Sequence, residues 1–317
     1  MNNVPGPHYR LPNLFVPGAQ KSGTASLHRY LSQHPQCAMS QPKEPCIFSN
    51  AARTYDLTQY SSYFPQSRSS DVRVFGDGST NNLTDPEVPH RIFAALGDDL
   101  RFIFLLRNPM ERTISAYWHM FKRLHERRPM TRAITMDASS LDEAIRLEDE
   151  AMGAAEARQD IEVASYRKRY IDPRWNYRYL RNSSYLNDLQ RYEHIFGRER
   201  MLVVFSEDLR SNRIVAFRRI AEFLEIDPSF VPENLGREYN KTVIPRRDPA
   251  SRFIRQVSPW LQRVELGVVR QWIQLATIRQ KPRTDSQIRR RLNELFASHN
   301  HNLSEYLGVN TDTFWKD

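Results

Sequence analysis

The chain has 317 residues, 40% hydrophobic and 11% aromatic, which fits a soluble globular protein with a sizeable core. Its net charge of +9 points to an anionic partner: nucleic acid, a membrane surface, a phosphorylated cofactor or an acidic polymer. Two cysteines, Cys37 and Cys46, exclude a disulfide framework and a zinc pattern, and no 18-residue apolar run exists to span a membrane. With no basic region followed by an apolar stretch at its start, the chain is expected to be cytoplasmic.

Residues 1–12 are polar and proline-rich and read as a loose arm. Residues 13–19 read as a strand and 24–33 as a helix, with Leu27, Tyr30 and Leu31 at helical spacing. Residues 34–71, carrying Pro35, Pro42, Pro45 and Pro65, are expected to form a long irregular connection. A short strand follows over 72–75 and breaks at Gly76-Asp77-Gly78; 85–96 then reads as a helix with Asp85 as its N-cap before Pro86. Residues 101–106 are the clearest strand, a near-continuous apolar run of the kind buried on both faces of a parallel sheet. A helix is predicted over 109–125. Residues 124–181 interrupt the rhythm and read as an insertion, acidic over 137–162 and rich in Arg and Tyr over 165–181. A helix over 183–196, a strand over 201–205, a helix over 209–224, an irregular basic stretch over 228–252, and helices near 253–278 and 285–299 complete the pattern. Strands alternating with helices predict an α/β protein: a P-loop-like central parallel sheet flanked by helices, with its ligand at the carboxyl ends of the strands.

Two of those ends carry chemistry. After the first strand comes Gly18-Ala19-Gln20-Lys21-Ser22-Gly23-Thr24-Ala25-Ser26, a glycine-bearing turn leading into a helix. Backbone N–H groups at such a turn and the positive end of the helix dipole bind anions. Gly18 and Gly23 have the spacing of a nucleotide-triphosphate loop, but Thr24 stands where that motif has its lysine, and the lysine is Lys21, inside the loop. A displaced lysine suits a diphosphate-like group with a terminal sulfuryl, where it stabilises the bridging oxygen as it leaves. The 101–106 strand ends in Arg107, not in a carboxylate for magnesium. Arg107 and Ser115, the latter on the following helix, offer a fork and a hydroxyl for a second phosphate.

Lys21-Ser22-Gly23-Thr24 after a strand, followed by Arg107-Asn108-Pro109 with Ser115, resembles the sulfotransferases that use 3′-phosphoadenosine 5′-phosphosulfate (PAPS). Lys43-Glu44-Pro45-Cys46-Ile47-Phe48 is similar to the acidic motif of the heparan sulfate (glycan) branch and its bacterial relatives. Looser likenesses lie in Ser183-Ser184-Tyr185 with Leu189 and Tyr192, in Tyr239-Asn240-Lys241-Thr242 with Arg246 and Arg247, and in 303–315. The resemblance implies one sulfotransferase domain over 1–317 and in-line transfer of a sulfuryl group to a hydroxyl, less readily an amine, of a glycan or small molecule, without a metal. It implies that Lys21 stabilises the leaving phosphate, that the backbone amides of Ser22, Gly23, Thr24, Ala25 and Ser26 hold the 5′-phosphosulfate, and that Arg107 and Ser115 hold the 3′-phosphate with help from Arg246 or Arg247. Glu44 falls on the position of the base, with Asp77 as the reserve carboxylate; His90 and His119 lie inside helical patterns, where a packed or surface histidine is the simpler reading.

In the heparan sulfate enzymes a lysine usually follows the acidic residue at the Asp77 position, where this chain has Gly78. That departure puts a heparan-like acceptor in question and leaves Ser79 and Thr80 as hydroxyls to line the site. In the insertion, Arg167, Lys168, Arg169, Arg174, Arg178 and Arg181 interleave with Tyr166, Tyr170, Trp175, Tyr177 and Tyr179. They suit either acceptor recognition, with Arg174 and Tyr177 foremost, or ion pairing with the acidic 137–162 stretch. A P-loop kinase or NTPase and a non-enzymatic polyanion-binding module are the competing readings. No nucleic-acid-binding motif accompanies the basic charge, and the pattern is silent on oligomeric state.

Overall fold

The computed structural model describes residues 10–49, 56–65, 71–163, 172–236, 243–245, 278–280 and 282–315. Its centre is a five-stranded parallel sheet of β1 (Leu14–Gly18), β2 (Cys37–Met39), β3 (Val74–Asp77), β4 (Arg101–Leu106) and β5 (Met201–Phe205) in the order β2-β3-β1-β4-β5. The chain leaves β1 towards one edge and returns across it to β4, so the order reverses between these neighbours. A crevice at the carboxyl ends of two such strands is where an α/β sheet binds its ligand.

Side-chain alternation divides the core. Phe15, Phe102, Phe104 and Leu106 pack on one face with Ile92 of α3 (Val88–Leu96) and Tyr192 and Phe196 of α7 (Leu186–Phe196). Leu14, Val16, Ile103 and Leu105 pack on the other with Leu27, Tyr30 and Leu31 of α1 (Thr24–Leu31) and Phe217 and Ile220 of α9 (Arg213–Phe223). Both faces of β4 are therefore covered, which is why its sequence is continuously apolar. Each fully buried phenylalanine there contributes about 1.5–3 kcal/mol. A third cluster joins α4 (Pro109–Lys122), α5 (Met130–Ala133), α6 (Leu141–Ala157) and the long C-terminal helix α10 (Ser286–Leu307) around Tyr117, Tyr177, Tyr179 and Phe296. A two-stranded antiparallel ribbon pairs β6 (Val243–Pro245) with β7 (Ile278–Gln280).

The stretch 34–71 is less irregular than its prolines imply. It contains β2 and a one-turn helix, α2 (Leu57–Ser61), capped by Asp56. The strand expected over 72–75 runs instead through Gly76 and Asp77, which pair with Leu14 and Phe15 of β1; Gly76 lies under Met39, where any Cβ would collide with the sulfur. Helix α3 starts after Glu87 and not at Asp85, whose carboxylate accepts from the Glu87 N–H in a turn just outside the helix. The 183–196 helix begins at Leu186, and the 209–224 helix breaks at Asn212 into α8 (Asp208–Ser211) and α9. The last helix runs on past residue 299 to Leu307, where Gly308 closes it at φ 66°. The helix expected near 253–278 falls outside the described residues but for its last position, which opens β7. Among the described residues no helix is long and apolar enough to cross a membrane.

Candidate active site

The first loop and the second motif meet. Ala19 N–H donates to the Leu105 carbonyl (2.7 Å), so the loop after β1 lies against the end of β4. Arg107 Nη1 reaches the Lys21 carbonyl (3.4 Å), joining residues 86 positions apart. The loop turns at two left-handed positions, Lys21 (φ 75°) and Gly23 (φ 101°), and Gly23 precedes the first residue of α1. The N–H groups of Ser22 and Ser26 are donated internally, to Ala19 (3.2 Å) and Gly23 (2.9 Å). That leaves the amides of Gly23, Thr24 and Ala25 as the free core of the expected five-residue cradle.

Charge converges here. Burial, and then the charges of Lys122, Arg107, Arg112 and Arg123, push the Lys21 amine down to about 7. His119 of α4 sits with Nδ1 3.4 Å from Lys21 Nζ. Burial and the neighbouring Lys21 hold His119 far below the usual imidazole range, so it is neutral beside the lysine amine. His90 is exposed on α3. Arg112, for which the sequence pattern suggested no duty, is 1% exposed and clamps the loop from beneath: Nε donates to the Gln20 carbonyl (3.0 Å) and Nη1 to the Tyr179 carbonyl (3.1 Å). An arginine inside the apolar spacing of a helix was the available signal.

Arg107 ends β4, and Ser115 lies buried two turns into α4, whose N-cap Asn108 accepts from the Glu111 N–H (3.2 Å). Arg107 Nη2 pairs with Glu111 (3.1 Å), which also accepts from Arg289 of α10 (2.6 Å); Arg210 of α8 adds positive charge nearby. Arg289 and Arg210 thus add positive charge beside Arg107. Arg246 and Arg247, expected to help there, lie outside the described residues, as do Tyr239 to Thr242 and 164–171. Next to Arg107, Asn108 also lines a cavity of about 700 Å³ with Asn293, Asn300, Ser304 and Trp315.

Buried polar atoms without partners gather at the same edge of the sheet. Ser22 Oγ follows β1, Asn81 Oδ1 and Asn82 Oδ1 follow β3, Arg107 Nε follows β4, and Ser206 Oγ follows β5. Desolvated polar groups are normally paired, so a row of orphans marks where a polar ligand fits.

Glu44 sits on the loop after β2, with 29% of its side chain exposed. Its Oε1 accepts from Lys43 Nζ (2.9 Å) and Thr80 Oγ1 (3.0 Å). Asp77 is placed differently. It is 1% exposed, its Oδ2 accepts from Tyr60 (2.5 Å) and its Oδ1 from the Ser79 N–H (2.7 Å). Burial raises its carboxyl pKa, and both oxygens are engaged by partners within the protein. Ser79, expected at the acceptor surface, is fully buried and accepts from the Cys46 N–H (2.9 Å).

Much of the charge in the described part of the insertion is paired within it. Tyr177 is fully buried and donates to the Glu162 carbonyl (2.5 Å), so it does not face an acceptor. Arg174 pairs with Glu156 (2.8 Å), and Arg178 with Asp149 (2.7 Å) and Asp172 (2.9 Å). Beneath them Glu126 accepts from Arg128 and Tyr179, and buried Glu148 accepts from the N–H groups of Leu180 and Arg181.

Comparisons with known proteins bear on the family and the fold. The sulfotransferase domain model matches residues 11–246. The chain is 27% identical over 304 residues to the human bifunctional heparan sulfate N-deacetylase/N-sulfotransferase 2, and 25% identical over 303 residues to the mouse type 1 enzyme. Each alignment covers 94% of this chain, which spans about 30% of the length of those relatives. The solved structure of a sulfotransferase from Alicyclobacillus acidocaldarius superposes with a TM-score of 0.63 at 22% identity, over 96% of this chain and 99% of that one, and so shares the fold. The chain belongs to the sulfotransferase family of enzymes.

Proposed function

We propose that the protein transfers a sulfuryl group from PAPS to a nucleophile on a glycan or small molecule, within a single domain over 1–317. The observation that carries this reading is the convergence of Lys21, Arg107, Arg112, Lys122 and Arg123 on one loop whose central amine is pushed down to about 7. Such a cluster is electrostatically unfavourable until a polyanion enters.

When bound, PAPS supplies the sulfuryl group and 3′-phosphoadenosine 5′-phosphate as the leaving group. Glu44 takes the acceptor proton as the acceptor–sulfur bond forms and the sulfur–oxygen bond to the 5′-phosphate breaks. Lys21 stabilises the negative charge that grows on the departing phosphate oxygen, while the Gly23–Ala25 amides hold that phosphate. Arg107 and Ser115 hold the 3′-phosphate, with Arg289 and Arg210 adding positive charge nearby.

The sequence alone favours a hydroxyl acceptor. The relatives named as N-sulfotransferases support an amine as a second reading. Two assays test both layers. In a thermal-shift comparison, 3′-phosphoadenosine 5′-phosphate without metal is expected to stabilise the protein more than ATP with magnesium; the reverse order supports the kinase reading and removes this one. With radiolabelled PAPS, transfer to N-deacetylated heparosan but not to its N-acetylated form assigns the amine, transfer to both assigns a hydroxyl, and transfer to neither points to a small-molecule acceptor.

A further inference from the structure

We infer that Lys43 and Thr80 are positioning residues for Glu44, and that Gly78 is the notch that admits the Lys43 arm. The inference rests on Glu44 being the base. Lys43 Nζ lies 2.9 Å from Glu44 Oε1 and 2.9 Å from the Gly78 carbonyl, so the ammonium is held by the main chain after β3 while it grips the carboxylate. Thr80 donates to the same Oε1 from the same β3 segment (3.0 Å). The backbone of Lys43 is fixed as well: its carbonyl accepts from Ser40 Oγ (3.1 Å) and from the Gly78 N–H (3.3 Å).

Two donors on one oxygen set the direction of the carboxylate and favour its charged form. A base that is loose by an ångström loses much of its effect, so a clamp of this kind is worth keeping. A Cβ at position 78 would come within 3.2 Å of the Lys43 carbonyl and of His28 Cδ2 and 3.4 Å of Lys43 Cγ, so the glycine lets the Lys43 arm pack closely against this segment. The cation beside the base comes from the loop after β2 and lies across the glycine.

His28 of α1 faces the same arm through its Cδ2, and burial and then the Lys43 charge push its imidazole down to about 4, so it is neutral near pH 7. Arg29 acts weakly on His28, and Asp77 of β3 feels the Lys43 charge from below.

The test follows the Glu44 carboxyl directly. Protein labelled with carboxyl-¹³C glutamate is titrated by NMR, with the Glu44 resonance assigned by its loss in Glu44→Gln. In Lys43→Met the midpoint is expected to rise by about one pH unit, in Thr80→Val by less, and in Lys43→Arg to return towards the wild-type value. Sulfate release from radiolabelled PAPS, with water as acceptor, is expected to fall in Lys43→Met while the thermal shift with 3′-phosphoadenosine 5′-phosphate stays unchanged, a result that also shows the variant is folded. A wild-type midpoint and rate in Lys43→Met overturn the inference. If Glu44→Gln itself keeps the wild-type rate, the assignment of the base fails instead.

Discussion

Two arginine-rich regions of this chain look alike in composition and behave oppositely in the fold. In the insertion every described basic group of the 174–181 stretch meets a carboxylate, and the buried Glu126 is gripped by Arg128 and Tyr179. At the carboxyl edge of the sheet, Lys21 is surrounded by further cations, and Ser22 Oγ and Arg107 Nε are buried without partners. Compensated charge builds structure, and uncompensated charge with orphaned polar atoms marks a place prepared for something else. Charge content alone does not separate the two.

The contrast is tested most strongly at Lys21. Lys21→Ala is expected to lower sulfuryl transfer from radiolabelled PAPS by about 10²–10³-fold or more; an unchanged rate would remove the loop from the chemistry. Lys21→Met is expected at the same time to raise the melting temperature of the unliganded protein, because it deletes a charge the fold holds at a disadvantage. The amine sits at about 7 in the fold against 10.5 in an unfolded chain, so the folded state binds fewer protons between those values. Stability from this group therefore rises with pH across that window and is lowest below it.

Glu126→Ala should do the reverse. Leaving Arg128 and Tyr179 without their shared carboxylate is expected to cost about 3–5 kcal/mol in chemical denaturation. A loss below about 1 kcal/mol would place the insertion with the exposed ion pairs and dissolve the comparison.

A milder probe is pH. A nucleotide diphosphate-like ligand pulls the Lys21 amine back to its charged form, so binding of 3′-phosphoadenosine 5′-phosphate takes up a proton above pH 7. Affinity is expected to fall with rising pH by up to about tenfold per pH unit. Calorimetry in buffers of different ionisation enthalpy measures the uptake directly, and buffer-independent heats would exclude Lys21. The smallest effect is expected for Arg174→Ala, whose guanidinium is 45% exposed in its pair with Glu156. Its loss should shift stability by less than about 0.5 kcal/mol and leave transfer unchanged; a fall in transfer would return Arg174 to the acceptor site.

Much of this was legible beforehand, and for local reasons. The apolar run of β4 and the glycine-bearing turn after β1 are short-range patterns, as is the spacing from Arg107 after β4 to Ser115 on α4. The errors also have causes. β2 and α2 lie hidden among prolines because a three-residue strand and a one-turn helix carry too little periodicity to read. Glu44 and Asp77 are both acidic residues after a strand, and nothing local says which one is exposed. Tyr177 reads as an aromatic surface in sequence because its partners, His125 and Glu162, belong to other segments.

The sequence by itself therefore determined the α/β class, the family and the two motifs, since each is written in patterns of contiguous residues. Only the tertiary structure decided which charges are compensated. It set Arg112 beneath the loop, committed Asp77 to Tyr60, laid Lys43 across Gly78 onto Glu44, and left Lys21 among cations. Those outcomes depend on burial and on distances of a few ångströms between residues far apart in the chain, and electrostatic energy is decided by those two quantities.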